Sequence, residues 1–175
     1  MSKNRIIDIT LPDSEDWISR VKKNAYFHEE TYGNCSQAIL KAFMDEFKID
    51  NPLLMRSAGG MFGGMISSLT CGVISAAVTV LGMFIGREKP EQGQDALFPV
   101  IQPTQELVKR IKEKLGAYTC GELTGVDFFD LKAVAKFSVS KDHTLCCERT
   151  AIGAEETAKL LLEMQKNGEL FRISS

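Results

Sequence analysis

The chain has 175 residues, 44% of them hydrophobic and 25% charged, a globular mixture rather than a disordered or collagen-like one, and nothing in its length divides residues 1–175 into more than one domain. With 21 Lys and Arg against 23 Asp and Glu, a formal net charge of -2, there is no basic excess to serve nucleic acid. Two distant histidines, His28 and His143, leave no His-rich metal site or HExxH helix, and an odd count of five cysteines does not describe a secreted disulfide framework.

The opening MSKNRIIDITLPDSEDW carries charge throughout and lacks the apolar core of a secretory signal, so a cytoplasmic setting with reduced thiols is expected. Ser14 and two acids open a predicted helix over 14–32, with Trp17, Val21, Ala25 and His28 at helical spacing and Gly33 at its end. A second helix over 35–48 places Ala38, Ile39, Ala42, Phe43 and Phe47 on one face, and Asn51-Pro52 starts a short helix over 51–58. After the glycine-rich segment 59–64, an apolar central helix is expected over 71–86.

No charge interrupts 57–86, a span long enough for a bilayer, but its first half, AGGMFGGMISSLT, is too rich in Gly and Ser. A helix packed on all sides is expected rather than a stable membrane span, and its apolar surface offers a homodimer interface. The charged, Pro-punctuated stretch 87–102 reads as a surface loop. Helices follow over 103–115, 127–137 and 147–166, with a turn at 120–125. No alternating run is long enough for a strand, so the expected fold class is all-α: a compact helical bundle with a buried apolar central helix.

The residues before the cysteines carry the chemical signal. Cys35 follows Asn34, Cys71 follows Thr70 and Cys120 follows Thr119, and Asn and Thr are helix N-cap residues. Asn34 with Gln37, and Thr119 with Glu122, have capping-box spacing. Asp142 and Thr144 precede Cys146 and Cys147 in a looser version of the same pattern. Four helices are thus expected to begin at a cysteine, where unpaired amides favour a thiolate and lower its pKa.

Such thiols, gathered at one end of a bundle, suit three occupants: an iron–sulfur cluster, a structural zinc, or a metal-free dithiol/disulfide couple. With no CxxC, zinc-ribbon and thioredoxin motifs are excluded. The bland alternative, that these are small buried hydrophobes, holds for any one of them taken singly. In the doubled pair, Thr144 as N-cap would put Cys147 at the third helical position, facing the free amides. Cys146 would then be a spare or an exchange partner.

The motifs N-C-S-Q-A-I-L at 34–40, G-G-M-F-G-G at 59–64, T-C-G-V-I-S-A at 70–76 and C-G-E-L-T-G at 120–125, with a last cysteine before the final helix, resemble those of the C_GCAxxG_C_C family of small redox-active proteins over about residues 25–163. The resemblance implies four key cysteines at Cys35, Cys71, Cys120 and one of Cys146 or Cys147, acting beside redox enzymes or transporters. A related domain occurs in split-Soret cytochromes, which hold an iron–sulfur centre as well as haem. The chain departs from the family's central element, with Val73 at its Ala position and Ala76 at its final Gly.

The function expected is therefore electron transfer or redox sensing through an iron–sulfur cluster, with a redox partner protein that the sequence does not identify and a possible oxidoreductase role. Cys35, Cys71, Cys120 and Cys147 are the expected ligands, or the redox thiols of a metal-free protein; Cys146 and Gly72 join them among the cofactor-binding residues. A zinc site or metal carrier is the other alternative. The glycine-rich segment has no Gly-Lys-Ser/Thr for a P-loop and is expected to let backbone approach the cysteines closely. His143 is the better placed histidine to tune thiols, and His28 reads as a satisfied, half-buried one. Glu29–Glu30 and Glu155–Glu156 read as solvated faces, with Met55, Met61, Met65 and Met83 as core filler.

Overall fold

The structure, a computed structural model, describes residues 11–12 and 14–170, so the charged opening stretch lies mostly outside the described residues. Eight α-helices follow in order: α1 Glu15–Tyr32, α2 Cys35–Glu46, α3 Pro52–Ser57, α4 Gly72–Ile85, α5 Phe98–Leu115, α6 Cys120–Thr124, α7 Leu131–Ser138 and α8 His143–Lys166. No strand occurs among the described residues, and the fold is all-α. Ser14 caps α1 by accepting from the Trp17 amide, as its sequence predicts.

Burial follows the apolar stripes. Trp17, Val21 and Ala25 of α1 pack on Ile39, Leu40 and Phe43 of α2, and Leu161 of α8 joins the same core. Apolar α4 lies at its centre against α2, α5 and α8, with no residue of 71–85 exposed. That placement accounts for the long uncharged run, and no helix among the described residues is long and apolar enough to cross a membrane. Arg110 ties α5 to α8 through a two-pronged contact with Glu163 at 2.9 and 2.8 Å.

Two helices start earlier than their sequences suggest. α5 begins at Phe98 rather than 103, with Pro99 in its first turn and Pro103 inside it. Pro99 falls in the first turn, where a missing N–H costs nothing, but Pro103 is the sixth residue and removes one intrahelical bond, to the Pro99 carbonyl; the helix runs through it all the same. The preceding loop also carries two short 3₁₀ turns, Pro90–Gln92 and Asp95–Leu97. α8 starts at His143, with Asp142 as N-cap and no side-chain cap bond, so Thr144 does not cap it.

The crossing of α4 and α8 is close because Gly153 faces Val73. A Cβ at Gly153 would lie 2.2 Å from Val73 Cγ1 and 3.2 Å from Ile39 Cδ1. The bulk that Val73 adds to the motif is thus accommodated by the missing side chain on α8. Gly153→Ala is expected to cost about 2 kcal/mol through overpacking. Val73→Ala in the same chain should recover most of it, read as a return of the urea midpoint with unchanged slope.

Candidate functional site

Three of the cysteines stand where their neighbours place helix starts. Asn34 Oδ1 accepts from the Gln37 amide at 3.1 Å and from Ser36 Oγ at 2.8 Å, which puts Cys35 at the first position of α2. Gln37 does not close the capping box; its Nε2 donates to the Met55 carbonyl at 3.0 Å instead. Thr119 and Glu122 form the full reciprocal box, with Cys120 first in α6. At α4 the N-cap is Cys71 itself rather than Thr70. Its carbonyl accepts from Ile74 at 2.9 Å and Ser75 at 3.2 Å.

Cys71 and Cys120, distant in sequence, are held side by side by backbone. The Cys71 amide donates to the Tyr118 carbonyl at 2.8 Å and the Cys120 amide to the Leu69 carbonyl at 2.7 Å, around an antiparallel bridge between Thr70 and Thr119. The chain reaches this bridge through a turn in which Gly63, Gly64, Met65, Ile66 and Ser68 all have positive φ. Glycine takes that conformation freely, whereas the β-branched Ile66 is strained in it. A Cβ at Gly64 would lie 2.3 Å from the Leu69 carbonyl oxygen, so only glycine lets the turn fold this tightly onto its own exit.

Cys35, Cys71, Cys120 and Cys146 line one cavity of about 60 Å³, together with Glu29, Arg149 and an apolar wall that includes Phe62, Phe128, Val134 and Phe137. Cys147 is buried but does not line the cavity; its thiol faces the His143 carbonyl at 3.6 Å within α8. With α8 starting at His143, both cysteines lie past its first three positions, away from its free amides. All five cysteines are free. The thiols ring the cavity rather than converge on a point: among the described residues no group of three or more His, Cys, Asp or Glu is placed to hold a metal ion.

Electrostatics here departs from the sequence expectation. Burial raises every one of these thiols: Cys35 well above its ordinary value, Cys71 upward, Cys120 to about 12, and Cys146 and Cys147 to about 11. The amides of Val73 and Ile74 do pull Cys71 down, and Arg149 pulls down Cys71, Cys120 and Cys146, but desolvation is the larger effect at each. Repulsion from neighbouring thiolates adds to this: Cys71, Cys146 and Cys120 raise Cys35, Cys71 and Cys146 raise Cys120, and Cys71 raises Cys146. Without a positive occupant, the site holds neutral thiols.

Glu29 corrects the reading of its pair as a solvated face. It is 3% exposed in the cavity wall, with Oε1 3.2 Å from His143 Nε2 and with Oε2 lacking a hydrogen-bond partner. The bond to Glu29 raises the His143 pKa. Helical spacing carried the signal, since Glu29 continues the Val21–Ala25 stripe one turn further. Glu156 is also buried, beside Lys159 at 3.1 Å. His28 lies outside the cavity, half-buried and 3.0 Å from Asp45. Met55, Met61 and Met83 pack on the core, whereas Met65 is exposed on the strained turn. Gly72 belongs with the site through packing, because a Cβ there would lie 2.7 Å from Cys35 Sγ.

Searches of curated proteins and of solved structures return no match to the chain. The family model described as "Putative redox-active protein (C_GCAxxG_C_C)" matches residues 33–163, a stretch that contains all five cysteines, the strained turn and the whole cavity wall from Gly33 to Arg149 except Glu29. With most of its length matched, the chain belongs to the C_GCAxxG_C_C family of redox-active proteins.

Proposed function

We propose that this redox-active protein works through an iron–sulfur cluster held by Cys35, Cys71, Cys120 and Cys146. The observation that carries the reading is the single cavity lined by four thiols from four separate helices. Their chemistry fits: the donors are soft sulfurs in a largely apolar wall, and a cationic centre would replace their protons and relieve the mutual repulsion that burial makes costly. Sulfurs spread around a cavity suit a polynuclear centre, where each iron takes its own thiolate. A zinc site needs all four about 2.3 Å from one ion.

The same thiols serve poorly as a metal-free disulfide couple, because exchange begins with a thiolate and burial suppresses it. Bound there, the cluster would supply one-electron transfer to a partner protein. The chain's own residues exclude water with Phe62, Phe128 and Phe137, and place the positive charge of Arg149 beside Cys146.

Anaerobic purification should give a coloured protein with iron and acid-labile sulfide in equal amounts. Cys146→Ser should abolish the colour and Cys147→Ser should leave it. Stoichiometric zinc in a colourless protein, or a redox change of two titratable thiols with no metal, would replace this reading with one of the other two. Loss of iron in Cys147→Ser alone would return the fourth ligand to Cys147.

A further inference from the structure

Residues 126–142 differ from the rest of the chain in how they are held. They close one side of the thiol cavity with Phe128, Val134 and Phe137, yet Phe128 is the only buried residue among them. α7 has no buried residue, and Phe129, Leu131 and Val139 are 76, 76 and 87% exposed. The segment satisfies its backbone locally. Asp130 caps α7 by accepting from Lys132 at 2.9 Å and Ala133 at 3.2 Å, and Ser140 folds the exit by donating to the Phe137 carbonyl at 2.8 Å.

Its ties to the body are few and lie at its ends. Ser68 Oγ donates to the Val126 carbonyl at 3.0 Å and accepts from the Phe128 amide at 2.9 Å. The Phe128 ring lies flush on Gly63, where a Cβ would come within 2.3 Å of it. Phe137 meets the edge of His143 at 6.1 Å. Gly125, with φ of 69°, marks the entry, and a turn at 140–142 marks the exit.

We propose that residues 126–142 are a movable cover that swings off the thiol cavity as a unit, with Phe128 as its latch on Gly63 and Ser68, and so admits reagents to the cysteines without unfolding the bundle. A segment with its own caps and hydrogen bonds loses little when it opens: the Ser68 bonds, the Val126 amide's bond to Thr124 Oγ1, and the apolar contacts of Phe128, Val134 and Phe137, and such segments open far more often than a core helix does. The assignment does not depend on what the thiols hold, so its test is separate from the iron and sulfide analysis.

Hydrogen exchange read by mass spectrometry on the protein as purified is the first measurement. Amides of 131–138 should exchange about a hundredfold faster than those of α4, the expected gap between sub-global and global opening. In chelator-treated protein, iodoacetamide should alkylate Cys71 and Cys120 ahead of Cys147, which is also buried but lies outside the cavity. Phe128→Ala and the milder Ser68→Ala should speed that alkylation by about tenfold or more while leaving Cys147 unchanged. Protection of 131–138 equal to that of α4 would overturn the proposal, as would alkylation of all three cysteines at one rate in wild type and both variants.

Discussion

His143→Ala is expected to lower stability by about 2 kcal/mol, the cost of leaving the buried Glu29 carboxyl without its hydrogen-bond partner, His143 itself being half-buried. The Glu29 side chain is 4% exposed, its Oε1 faces His143 Nε2 at 3.2 Å, and its Oε2 has no hydrogen-bond partner, so the imidazole is what makes the burial tolerable. Glu29→Gln in the His143→Ala background should recover part of the loss, because a neutral amide is cheaper to bury than a carboxylate. The pH dependence has a defined sign. The folded protein raises the His143 pKa above its ordinary 6.5, so the protonated imidazole binds more tightly in the folded state. Its contribution is full below about pH 6.5 and is lost as pH rises through the raised folded value. Urea midpoints measured from about pH 5 to 9 should therefore fall across that upper window in wild type. In His143→Ala this component of the fall should be absent.

Gly72→Ala is expected to cost about 3 kcal/mol, more than the same change at Gly153. A Cβ at Gly72 would lie 2.7 Å from Cys35 Sγ, 2.9 Å from the Met61 carbonyl and 3.1 Å from Phe62 Cα. Two of these neighbours are backbone of the segment that enters the strained turn, so relief requires moving that segment. At Gly153 the nearest atoms belong to side chains. Because the displaced sulfur is one of the four facing the cavity, the variant should also lose any metal that the wild type retains. Parallel measurement of the thermal midpoint and of metal content checks both effects. Gly82→Ala is the control, since nothing lies within 4 Å of a Cβ there. It should be neutral or slightly stabilising.

Local rules carried most of the fold into the sequence. Ser14, Asn34, Asn51, Thr119 and Asp130 each cap a helix through a side-chain bond, and three of the four thiols around the cavity follow from caps and helix starts. Cys146 was illegible for a geometric reason. α8 begins at His143 without a side-chain cap, and one residue of helix phase decides which of two adjacent cysteines faces the cavity. The thiol pKa was misread because a helix-end effect is local and visible in sequence, whereas desolvation depends on what the rest of the fold places around the sulfur. Glu29 and Arg149 were missed because an ion beside a buried site has the same letter as an ion in water. α5 runs through Pro103 although that residue, sixth in the helix, removes one intrahelical bond, and a start at 103 was therefore the reading that local rules favoured.

The paired backbone bonds between Leu69–Cys71 and Tyr118–Cys120 divide the site into unequal halves. The main chains of Cys71 and Cys120 share this one clamp, while Cys35 and Cys146 are carried on α2 and α8, whose mutual contact is helix packing. A push on either clamped cysteine is passed to its clamp partner through these two backbone hydrogen bonds, whereas a push on Cys35 or Cys146 is taken up by the packing of a whole helix.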